Sequence, residues 1–174
     1  ITGESDKNTV TIDTSDGKVD VTFDDLKIDV SGGNKEDVSD KKEGDGSDKT
    51  EGDDGDGGSV HGGKAAVRVE GGGDVSIELD GKNELKSGGY NAGLEKNDER
   101  SEDGETVSGK LTIKDENGKD GSLTAEGGDG GAGIGGGYEN SAGNIEITGG
   151  TVEAVGGEGA AGIGGGVYGT GHDI

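Results

Sequence analysis

Three tyrosines, Tyr90, Tyr138 and Tyr168, are the side chains of this 174-residue chain best suited to holding a ligand by stacking, since Phe23 is the only other aromatic. Sugar recognition sets aromatic faces against pyranose rings and adds planar polar groups. Tyr138 and Tyr168 each follow a copy of Ala-Gly-Ile-Gly-Gly-Gly, at 132–137 and 161–166. That placement predicts nearly equivalent corners one repeat apart and a Tyr138/Tyr168 ladder along one edge, with Tyr90 just ahead of Ala92. The plainer role for the same rings is to cover and stabilise a Gly-rich corner.

A second chemistry lies in the acidic stretch. Asp45, Asp48, Asp53, Asp54 and Asp56 are hard oxygen ligands on a glycine-rich backbone, which suits weak extracellular calcium binding as well as a solvated loop. Ordered calcium motifs are missing: the EF-hand spacing is not met, and Asp129 stands three places too early for the Gly-Gly-x-Gly-x-Asp repeat.

Catalysis is not expected. Outward Asp and Glu are so numerous that a pair at glycosidase separation arises by chance. Only Arg68 and Arg100, with His61 and His172, supply other catalytic groups, and the two histidines read as surface residues. No Gly-x-Ser-x-Gly stands before a helix to activate a serine. Flat ice-binding ranks are absent too, because Thr112, Thr124, Thr148 and Thr151 do not recur repeat after repeat.

The elements that carry these residues follow from period two. Leu111-Thr-Ile113, Leu123-Thr-Ala125 and Ala132/Ile134 form one phrase; Ile145-Glu-Ile147, Val152-Glu-Ala154 and Ala161/Ile163 form the next, the AGIGGG copies lying 29 residues apart. Weaker phrases run Val75-Ser-Ile77, Leu85, Ala92-Gly-Leu94, and earlier Val19 to Phe23, Leu26 to Val30, Ala65 to Val67, with Val10-Thr-Ile12 in a starting coil. Strands apolar on one side need a partner for that side. Three per repeat, bent by glycine, supply it by folding into stacked triangular coils around a thin apolar column.

Composition agrees with such an architecture. Hydrophobic residues are 24% and glycines 43 of the 174, with no proline, which excludes a thick globular core and a collagen helix. A net charge of −23 excludes nucleic acid as a partner and repels anionic polysaccharides such as pectin. Zero cysteine removes disulfides and thiolate chemistry. No apolar run is long enough to insert into a membrane, and Ile1 in place of Met points to a processed or excised segment. We read residues 1–174 as a single domain with two excursions. One spans 35–57, with ten acids and four lysines; a shorter one spans 95–105, with six acids.

Asp74 to Ser87, Ala92-Gly-Leu-Glu-Lys96, Leu-Thr-Ile followed by Ser-Leu-Thr-Ala-Glu-Gly-Gly128, and the two AGIGGG copies together resemble the Gly-rich "carbohydrate-binding domain" repeats of Gram-positive bacterial cell-surface proteins. The likeness covers about residues 18 to 168 and departs at the acidic insert. It implies an all-β, right-handed parallel β-helix of about four coils, displayed outside the cell, with a part in adhesion or glycan contact. The expectation is a non-enzymatic surface module whose partners are glycans or a host or cell-surface protein, with calcium as the one candidate cofactor. The alternatives are a filament subunit stacking head to tail as a homo-oligomer through unpaired strand ends near Ile174 and, behind it, a polysaccharide-active enzyme.

Overall fold

The computed structural model describes residues 1–32, 63–100, 103–118 and 120–174. The insert expected at 35–57, with the five candidate calcium ligands Asp45, Asp48, Asp53, Asp54 and Asp56, and His61 lie outside the described residues. Within them the chain is all-β, without helix, and most of its strands belong to three parallel sheets.

The first sheet stacks Val19–Asp24, Val75–Asp80, Leu111–Lys114 and Ile145–Ile147. The second stacks Gly3–Ser5, Leu26–Asp29, Lys82–Lys86, Ser122–Glu126 and Thr151–Val155. In the third lie Val10–Asp13, Val67–Glu70, Leu94–Glu95, Ile134–Gly135 and Ile163–Gly164. The chain visits the sheets in a fixed cycle, second, third, first, so each circuit adds one strand to every sheet. Register follows the repeat read from the sequence. Leu111 pairs with Ile145, Leu123 with Val152 and Ile134 with Ile163; one rung earlier, Val75 pairs with Leu111, Leu85 with Ala125 and Leu94 with Ile134.

That register makes like sit on like. Ile77, Leu79, Leu85, Leu94, Leu111, Ile113 and Ile134 are fully buried and belong to one apolar cluster contributed by all three sheets. Each such side chain contributes about 1.5–3 kcal/mol by leaving water. Outward positions carry charge pairs between neighbouring rungs: Lys86 with Glu126 at 2.8 Å and Lys110 with Glu146 at 2.6 Å. Being exposed, these pairs add at most about 1 kcal/mol each.

Buried polar side chains hold the bends. Asn83, wholly inside, accepts the Leu26 N–H on its Oδ1 at 2.9 Å and donates from Nδ2 to the carbonyls of Asp80 and Ser122, both at 3.0 Å. One amide thus ties three successive rungs. At the next bend, the Ser87 hydroxyl accepts the Ala66 N–H and donates to the Ala92 carbonyl.

The expected excursion at 95–105 requires correction. Glu95 belongs to a third-sheet strand and Lys96 follows it, both buried. Leu94 and Glu95 align in register with Ile134 and Gly135, so the acid stands where later rungs carry glycine. The departure starts later, as a small antiparallel hairpin pairing Glu99–Arg100 with Thr106–Val107.

Candidate functional site

Two turns that flank the third sheet build an aromatic corner. Tyr90 sits in the turn before Leu94–Glu95 with a positive φ of 68°, held by its N–H on the Asp129 carbonyl and by Asn91, whose Nδ2 donates to the Gly89 carbonyl at 2.7 Å. Tyr138 follows the Ile134–Gly135 strand, and its N–H donates to the Tyr90 carbonyl at 2.8 Å. The rings lie in a row. Tyr90 and Tyr138 have centroids 4.8 Å apart with planes tilted by 51°, and Tyr138 meets Tyr168 edge-on at 5.7 Å and 83°. Tyr90 and Tyr138 are half-buried, while Tyr168 is 81% exposed.

The ladder therefore has three members rather than two, and its outer step is out of register. Val167, inserted between Gly166 and Tyr168, takes the Tyr138 position: its N–H bonds the Gly130 carbonyl as that of Tyr138 bonds the Tyr90 carbonyl. Tyr168 instead matches Glu139, the two sharing φ values of 64° and 61°. Tyr138 and Tyr168 are thus not equivalent corners. Gly130 makes room for the row, since a Cβ there would stand 2.8 Å from the Tyr138 ring, on a backbone with φ of 74°.

Beside the two turns that carry Tyr90 and Tyr138 lies a polar cluster that the sequence reading did not single out. Arg68 reaches across one rung to Glu95, its guanidinium 2.8 Å from Oε1, and also donates to Asn91 Oδ1 at 3.0 Å. The Glu95 side chain is 2% exposed and accepts the Ala92 N–H and the Asn97 amide as well. Asn97 in turn accepts the Gly137 N–H at 2.9 Å, next to Tyr138. Burial pushes the Glu95 carboxyl above its ordinary value, and the Arg68 guanidinium pulls it back. Burial, and then Glu139, hold the Tyr138 phenol above its usual value. One sequence signal pointed here: Glu95 and Lys96 follow Ala92-Gly-Leu94 where the other copies run Gly-Gly-Gly.

A second polar cluster occupies the next corner. Lys96, buried, donates to Ser108 Oγ at 2.8 Å and to the Gly143 carbonyl at 3.1 Å, and burial lowers its amine pKa against the pull of Asp98. Asp98, its side chain 7% exposed, accepts the Gly143 N–H and meets His172 Nε2 at 2.7 Å. His172 is thus paired with an acid two rungs away.

Thr112 has Ser76 and Glu146 as register neighbours, and Thr124 has Glu84 and Glu153, so neither belongs to a threonine rank. Among the described residues, no three His, Asp or Glu side chains converge as a metal site. Comparison with protein-family models, curated proteins and solved structures finds no match to this chain.

Proposed function

We propose that the chain is a right-handed parallel β-helix serving as a non-enzymatic extracellular module of a bacterial cell surface, and that its aromatic corner contacts glycans. The observation that carries the reading is the row of Tyr90, Tyr138 and Tyr168 on one corner, beside the polar cluster of Arg68, Glu95, Asn91 and Asn97. The rings, half-buried at Tyr90 and Tyr138 and exposed at Tyr168, offer apolar faces for sugar rings, and the half-buried Asn97 amide, which holds the Gly137 N–H next to Tyr138, offers a planar partner for hydroxyls. The charge of −23 directs the choice toward neutral sugars, because uronate or sialylated chains meet a repelling field. The cyclic strand order and the single apolar cluster support the helical path.

Calcium at Asp45, Asp48, Asp53, Asp54 and Asp56 belongs to the same proposal as an accessory ion. A glycan array run once with calcium and once with chelator tests both parts. Hits on neutral glycans that vanish in Tyr138→Ala support the contact surface, and their loss in chelator assigns the ion a part; silence in both conditions refutes glycan binding.

A further inference from the structure

The tyrosine row has a redox chemistry that sugar contact does not use. We propose that Tyr90 and Tyr138 are a site of oxidative cross-linking, joining ring to ring as dityrosine when the chain meets a one-electron oxidant of the haem-peroxidase class supplied with hydrogen peroxide. Their centroids stand 4.8 Å apart, and the Tyr138 N–H to Tyr90 carbonyl bond fixes the two turns to each other, so the phenols are held as neighbours before reaction. Tyr168, 81% exposed and 5.7 Å from Tyr138, is the point where the oxidant takes the first electron. Tyr138 then refills it.

The balance is closed. Each of the two coupling phenols loses one electron and its hydroxyl proton. The two radicals form one carbon–carbon bond between ring positions ortho to the oxygens. The hydrogens displaced from those carbons return through water to the two oxygens, restoring both aromatic rings. One peroxide accepts the two electrons and two protons and leaves as two waters.

Geometry and charge both favour coupling within one chain. A radical on Tyr138 has a phenol beside it at all times, whereas a second molecule must approach against like charge. The link would tie two turns belonging to successive rungs, in a chain that has no cysteine with which to do so.

The test treats the full chain with a haem peroxidase and hydrogen peroxide at low salt, follows dityrosine fluorescence, and maps the product by mass spectrometry. The expected product is a monomer two hydrogens lighter, with peptides carrying Tyr90 and Tyr138 joined, and with a melting temperature several degrees higher. Tyr138→Phe and Tyr90→Phe should each abolish that peptide; both are near-isosteric, and far-UV circular dichroism checks their fold. Tyr168→Phe should keep it, formed several-fold more slowly. Dityrosine found only in dimers, a linkage that omits Tyr90, or a Tyr138→Phe variant that still yields the joined peptide would overturn the proposal.

Discussion

The backbone N–H of Tyr138 donates to the carbonyl of Tyr90 at 2.8 Å, so the bond that joins two turns of neighbouring rungs also brings their phenol rings side by side. The aromatic row is therefore a product of the stack. Its geometry depends on glycine at 130, where a side chain would strike the Tyr138 ring. Gly130→Ala should cost about 1–2 kcal/mol through its left-handed backbone. Near-UV circular dichroism should lose the tyrosine signal more than far-UV loses strand; a variant with an unchanged tyrosine signal would contradict the packing described.

Asn83 offers a sharper test of how rungs are tied. Asn83→Ala leaves the buried Leu26 N–H and two carbonyls without their side-chain partner, a loss of about 2–4 kcal/mol in urea unfolding. Lys27→Ala, which removes only an exposed ion pair with Glu84, should change stability by less than about 1 kcal/mol.

The Arg68–Glu95 pair gives a pH signature. Glu95 has a folded pKa above its unfolded one, so its favourable contribution is complete below the unfolded value and is lost as pH rises through the folded value. Arg68→Met removes the cation that restrains this shift. The variant should lose about 2–3 kcal/mol at neutral pH, the Arg68 side chain being 42% exposed, and the deficit should shrink on acidification. A deficit that grows toward acid would contradict the sign.

His172 has acid partners that favour its protonated form. Its hydrogen bond to Asp98, and then that to Asp173, raise its pKa, so the stabilisation is complete below the ordinary imidazole value and disappears as pH rises through the raised one. The melting temperature should fall across that window in the parent and stay flatter in His172→Gln. Gly143→Ala should act like His172→Gln, because a Cβ there would stand 2.2 Å from the imidazole ring.

Much of the fold was legible because the core is a repeat of small apolar words. Aligning Leu123 with Val152, or Ile134 with Ile163, needs only period two and the 29-residue spacing of the AGIGGG copies, and the pairings follow it. The site was legible only in part. Glu95 and Lys96 sit at the start of an acid-rich run, and composition alone assigned them to a solvated excursion, although the register of Leu94 places them inside. The single residue Val167 moved Tyr168 out of step, a change that counting from the last glycine would have exposed. Asn83 looks like a turn residue after Asp80-Gly81, and only the stacked carbonyls around it explain its burial.

The central claim, a glycan-contacting aromatic corner, is open to a direct optical measurement. The chain has no tryptophan and only three tyrosines, all in the row, so its intrinsic tyrosine fluorescence reports on that corner alone. Titration with neutral oligosaccharides should give a saturable change that disappears in Tyr138→Ala and persists in Lys27→Ala. A flat titration across neutral sugars, or a response that survives Tyr138→Ala, would contradict the account.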